Sequence, residues 1–207
     1  MAPSTSVRPN RRGARSRELV LDSAERLMAE RGYEAATVAA LVEEAGVPPS
    51  SIYHYFGSKE GVLLAVMERG AERFFETLPV PERRIGSQLN HLRVLVGVVA
   101  DSLESTPDFL RILLVLATQP VKDGGEDVQS VVRRVRELAL SRLRIQSEIV
   151  FDIKRSGQEA DYIARFALAA FEGAFVASQA DEEVNLRDIL THLPEALKAV
   201  ERSLRNS

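Results

Sequence analysis

Between positions 49 and 59 the chain reads PSSIYHYFGSK, a set of side chains suited to recognition rather than to bond-making. Ser50 and Ser51 are short hydroxyls able to hydrogen-bond several bases, and Pro49 offers an apolar surface to a thymine methyl. Tyr53, Tyr55 and the hydroxyl of Thr37 suit phosphate oxygens, which fix register rather than sequence. His54 stands among them. Lys59 follows Ser58, a residue able to cap a helix, so its charge sits at the positive end of that helix. A cation there costs roughly 0.3–1 kcal/mol, a placement that makes sense if a phosphate docks on the helix end. The first 17 residues add Arg8, Arg11, Arg12, Arg15 and Arg17 and no acid, against a net charge of -3 for the whole chain. Basic character is therefore local, as phosphate or minor-groove contact requires. The plain alternatives are a solvated lysine, a surface histidine and a solubilising tail.

Catalytic chemistry finds little support. Zero cysteines exclude disulfides, thiolate nucleophiles and Cys-based zinc sites. The histidines are His54, His91 and His192, with no H-E-x-x-H, no G-x-S-x-G and no phosphate loop. No residue set implies a cofactor or a metal, and the chain reads as a non-enzyme.

The elements that must position these side chains are helical. Val20, Ala24, Leu27 and Met28 form one apolar stripe ended by Gly32. Thr37 is a candidate N-cap for a short helix carrying Val38, Leu41, Val42 and Ala45, interrupted at Gly46. Pro48 and Pro49 start a third helix, about 49–55, closed by Gly57. Two short helices joined by a glycine-containing turn make a helix-turn-helix. In the third helix Ile52 and Phe56, four apart, define the buried face. Positions 53 and 55, about 200° apart on a helix, cannot both point inward. A fourth helix runs from Ser58 to about 78.

The segment 19–67 resembles the TetR family of bacterial transcriptional regulators. The resemblance rests on A-x-x-L-M-A-E-R-G-Y-E-A-A-T at 24–37, E-E-A-G-V at 43–47 and S-I-Y-H-Y-F-G-S-K-E at 51–60. It implies Pro49, Ser50, Ser51 and His54 near bases, and Thr37, Tyr53, Tyr55 and Lys59 on the DNA backbone. Two departures stand out. Ala39 occupies a position that is often a DNA-contacting arginine in relatives, and Pro48 replaces a common serine cap. With few long polar readers, specificity is expected to lean on water, DNA shape and the arginines Arg11, Arg12 and Arg15.

Beyond position 67 the pattern is helical without a motif. Helices are expected at about 85–105, 108–118, 128–155 (capped by Gly157), 159–179 and 186–204, with Pro194 a candidate break in the last and a loop at 119–127. The stretches LRVLVGVVA and FLRILLVLA read as buried on every side. The expected fold is all-α, about nine or ten helices. A disordered basic arm spans 1–13, a helix-turn-helix domain 14–60 and a helical ligand-binding and dimerisation bundle 61–207. The resemblance implies a ligand cavity in the bundle. Polar groups inside apolar runs, His91, Gln119, Arg165 and Glu172, are candidate effector contacts beside Phe109 and Leu113, although a partner-subunit ion pair or a solvent position suits Glu172 equally. Small residues along 159–179 and the apolar positions of 186–204 suggest a four-helix homodimer interface.

These expectations make a cytoplasmic repressor, without a membrane span, that leaves a palindromic double-stranded DNA operator when a small hydrophobic molecule binds. An effector-free architectural DNA binder and an all-helical enzyme are the alternatives.

Overall fold

The structure, a computed structural model, describes residues 11–79, 86–118, 126–154 and 157–206, and for residues 11, 12, 126 and 127 the backbone alone. Among the described residues there are ten α-helices and no strand. They form two compact units, one up to Arg69 and one from Gly70 onward.

The first unit holds α1 (Arg11–Arg31), α2 (Val38–Ala45), α3 (Pro49–Phe56) and the first half of α4 (Lys59–Thr77). The stripe of α1, Val20, Leu21, Ala24, Leu27 and Met28, is fully or nearly fully buried. It packs on α2 and α3, and Leu41, Ala45 and Val47 around α2, Ile52 of α3 and Val62, Leu63 and Val66 of α4 are buried with it. Burying each such side chain contributes about 1.5–3 kcal/mol, which suffices to fix the two short helices α2 and α3, which would be marginal alone. The N-terminal boundary differs from the sequence expectation. Helix α1 already includes Arg11, so residues 11–13 are helical, while residues 1–10 lie outside the described part. The expected division at position 60 falls inside α4, a continuous helix whose two halves belong to different units.

The second unit holds the rest of α4 with α5 (Gln88–Ser105), α6 (Pro107–Thr118), α7 (Glu126–Phe151), α8 (Gln158–Ala180), α9 (Leu186–Leu190) and α10 (Leu193–Arg205). Ser87 caps α5, its Oγ accepting from the amide of Asn90 at 3.2 Å. Helix α7 stops at Phe151, short of the expected 155, because Asp152 takes a left-handed φ of 54°. The amide of Ile153 then closes on Glu148 O at 3.1 Å. Gly157 accordingly precedes α8 as its N-cap instead of ending α7. The last region breaks at Thr191–His192, and Pro194 sits in the first turn of α10, where its missing N–H costs nothing. Nor are α5 and α6 buried all round. Arg93 and Val94 of α5 and Arg111 and Val115 of α6 face outward, since each helix turns one apolar stripe inward and leaves the opposite side open.

Candidate nucleic-acid interface and bundle cavity

The turn between α2 and α3 sets the aim of α3. Thr37 Oγ1 accepts from the Ala40 amide at 3.2 Å and starts α2. Gly46 ends it at φ 62°, where a side chain would be strained, and its N–H closes on Val42 O at 3.0 Å. Val47 is buried, so the chain re-enters the core before α3 begins. Pro48 caps α3 without a side-chain hydrogen bond, and Pro49 occupies its first turn.

Only Ile52 of α3 is buried. Pro49, Ser50, Tyr53 and His54 are exposed, while Ser51, Tyr55 and Phe56 are half-buried. Tyr53 is 54% exposed, far beyond what a core aromatic shows. The Tyr55 ring lies edge-on to His54 at 4.9 Å, which stiffens this face. Phe56, expected inside, is partly covered by Arg17, whose guanidinium lies 5.4 Å from its ring centre. Thr37 and Arg15 are exposed, and the side chains of Arg11 and Arg12 lie outside the described residues.

Lys59 is braced. Its Nζ donates to Glu34 O at 3.2 Å, lies 3.8 Å from the Glu34 carboxylate and sits 4.1 Å above the Tyr33 ring. The Tyr33 hydroxyl donates to Glu60 at 3.1 Å. Burial, then that hydrogen bond, pushes the Tyr33 hydroxyl up from its ordinary pKa. Glu60 is held below the usual carboxylate range, first by its own backbone amide at the start of α4, then by the hydroxyls of Ser58 and Tyr33. Tyr33 is therefore a half-buried strut rather than a core residue. Farther along α4, Arg69 is nearly buried and reaches Glu18, Asp22 and Glu25, one row of α1, at 3.1, 2.7 and 2.6 Å.

Within the second unit, the end of α4 with α5, α6, α7, α8 and α10 lines a part-open cavity of about 130 Å³. Its wall is mostly apolar, with Phe74, Val99, Phe109, Leu113 and Phe171 prominent. Of the expected effector contacts, Phe109, Leu113 and Glu172 line it. Glu172 pairs with Arg136 of α7. Arg165 does not reach the cavity: it projects from the exposed face of α8 and pairs with Asp161 at 2.8 Å, one turn away. His91, half-buried on the first turn of α5, is not in the cavity wall, and Gln119 lies outside the described residues.

The sequence reading missed the polar side of α7. Arg136, Arg142, Gln146 and Ser147 all line the cavity. Arg142 donates to Phe75 O at 3.0 Å and stacks 4.9 Å from that ring. Gln146 Oε1 is buried and accepts no hydrogen bond. The available signal was their spacing beside the apolar stripe Val132, Val135, Ala139, Leu143, Val150, which places them at its margin.

Among the described residues no cluster of histidines and carboxylates can hold a metal, and no helix is long and apolar enough to cross a membrane. Residues 20–66 match the family described as bacterial regulatory proteins, tetR family. The chain is 34% identical over 142 residues to the HTH-type transcriptional repressor AcnR of Corynebacterium efficiens, covering 66% of this chain and 70% of that one. It is 26% identical over 176 residues to the HTH-type transcriptional regulator BetI of Brucella abortus, covering 84% of this chain and 82% of that one. The fold is similar to that of SmeT, the repressor of the Stenotrophomonas maltophilia multidrug efflux pump SmeDEF, with TM-score 0.66, 21% identity and 88% of each chain covered. It is also similar to a TetR-family regulator from Agrobacterium tumefaciens, with TM-score 0.69, 18% identity and 89% and 98% covered. An exposed α3 on a helix-turn-helix, a match across residues 20–66 and relatedness to AcnR over two thirds of each chain lead to one conclusion: the chain belongs to the TetR family of DNA-binding transcriptional regulators.

Proposed function

We propose that the chain acts in the cytoplasm as a homodimeric repressor, holding a palindromic operator until a small, largely apolar effector enters the bundle cavity. It works by binding, without a catalytic step. The observation that carries the reading is the outward face of α3, where Pro49, Ser50, Tyr53 and His54 stand clear of the core that Ile52 anchors. A recognition helix inserts its N-terminal residues in the major groove, and a two-fold pair reads half-sites roughly 34–36 Å apart. Ser50, Ser51, Pro49 and His54 meet bases, while Thr37, Tyr53, Tyr55 and the arginines at the start of α1 meet phosphates. Lys59 keeps spare N–H donors for a phosphate while bracing Glu34.

The dimer reading rests on α8. Tyr162, Phe166, Ala169, Gly173 and Val176 recur every three or four residues and are all exposed. Such a stripe, with small residues allowing close approach, is what a partner helix covers. The effector acts by favouring a dimer whose reading heads are wrongly spaced.

A mobility shift on the palindrome nearest the coding region tests the reading. The wild type is expected to retard that DNA at low salt, and Tyr53→Ala to abolish the shift while melting at the same temperature. A wild-type protein that ignores nearby duplexes would sink it.

A further inference from the structure

The bundle cavity carries an unbalanced charge. Among the described residues two arginines line its wall, both on α7. Arg136 is neutralised by Glu172. Arg142 is not: its partners among the described residues are a carbonyl, Phe75 O at 3.0 Å, and the Phe75 ring at 4.9 Å. Among the described residues it has no carboxylate partner. A half-buried guanidinium beside an apolar wall is costly to leave uncompensated, since the low dielectric that strengthens a pair also penalises a lone charge.

One helical turn further on, Gln146 adds a second unmet demand. Its Oε1 is buried and accepts no hydrogen bond. Leaving a buried acceptor empty forfeits its solvation without return. Positions 142 and 146 are four apart on one helix, so their side chains are neighbours, with Cβ atoms about 5–6 Å apart. Among the described residues of the wall, the rest are apolar or already paired. Size bounds only the buried body of a ligand: the part-open cavity of about 130 Å³ is close to the roughly 150 Å³ of a cavity that accommodates benzene, so that body is about one ring and the polar groups sit at the Arg142 and Gln146 margin.

From these observations we propose that the cavity is built for a small organic acid. Its apolar body is about one aromatic ring, its carboxylate meets Arg142, and a hydroxyl or N–H a few ångströms away donates to Gln146 Oε1. The inference rests on the effector reading above and narrows it from an apolar ligand to an amphipathic anion. Organic cations are disfavoured, since Glu172 is already taken by Arg136 and Arg142 repels them.

The probe is 3-hydroxybenzoate, whose two groups are separated by roughly the spacing of the two side chains. Titration calorimetry on the full chain compares it with benzoate, which lacks the donor, and 3-hydroxybenzyl alcohol, which lacks the charge. The acid is expected to bind at least tenfold tighter than the alcohol and several-fold tighter than benzoate. Arg142→Met is expected to erase the preference for the acid and Arg142→Lys to keep part of it, both checked for helix content by circular dichroism. Gln146→Leu is expected to bring the ratio of 3-hydroxybenzoate to benzoate near one. Equal affinity for acid and alcohol, no binding of the acid, or an acid preference that survives Arg142→Met overturns the proposal. A mobility shift separates this from the broader reading. If the acid binds as described but leaves the DNA complex intact, the effector role falls and the site stands. If a neutral apolar compound releases DNA and the acid does not bind, the site falls and the effector role stands.

Discussion

Gly70 lies in the middle of α4, where a glycine normally weakens a helix, yet the structure leaves it no room to be anything else. A Cβ built on Gly70 would stand 2.3 Å from Phe109 Cδ2, 2.7 Å from Cγ and 3.0 Å from Cβ. Phe109 cannot swing aside freely: it is 1% exposed, and its ring lies 6.2 Å from that of Phe74. Gly70→Ala therefore combines two opposed effects. Helix propensity favours alanine by about 0.8–1 kcal/mol, while overpacking a tight core costs about 1–3 kcal/mol. The net is a loss of about 0–2 kcal/mol. Gly97, inside α5 with nothing within 4 Å of its would-be Cβ, supplies the control. There Gly→Ala keeps the propensity gain and stabilises by about 0.5–1 kcal/mol. The two variants should thus diverge by about 1–3 kcal/mol, at roughly 2–4 °C per kcal/mol for chains of this size. Urea unfolding and thermal melts at one protomer concentration measure it, since the proposed dimerisation would make both concentration-dependent. Because Phe109 also lines the cavity, Gly70→Ala should weaken any cavity ligand as well. Equal stabilisation by both substitutions would refute the close packing of α4 on Phe109.

Other perturbations have separate readouts. Phe166→Glu, placing a charge on the exposed stripe of α8, should convert dimer to monomer in light scattering and abolish DNA retardation with it. Arg69→Met removes the shared partner of Glu18, Asp22 and Glu25; most of those carboxylates are solvent-screened, so the loss should be about 1–3 kcal/mol in urea unfolding. Thr37→Ala deletes the cap of α2 and should cost about 1 kcal/mol, seen as a lower urea midpoint. Glu60 has a depressed folded-state pKa, so its stabilisation is present above the ordinary glutamate value, roughly 4.3, and is lost as pH falls through the folded value. Between pH 5 and 3 the urea midpoint of Glu60→Gln should accordingly fall less steeply than that of the wild type.

The helix-turn-helix was legible because its determinants are local. Thr37 as a cap, Gly46 at a left-handed turn, prolines at the start of α3 and Ile52 on its inner face each act over three or four residues. The start of α1 was misplaced because the arginines before position 14 read as a solvated arm, yet Arg11–Gly13 continue the helix that the core fixes downstream. Arg165 and Arg142 show what periodicity leaves open. Both are arginines beside an apolar stripe, yet one lies on the exposed face of α8 and the other lines the cavity. The sequence alone specified which segments are helices and which residues form their apolar stripes, because those follow from backbone hydrogen bonding and side-chain spacing along one helix. Tertiary packing decided which margin of each stripe turned inward, and so that Arg142 and Gln146 face the cavity. That rotation is set by how neighbouring helices interdigitate, a sum over residues distant in the chain.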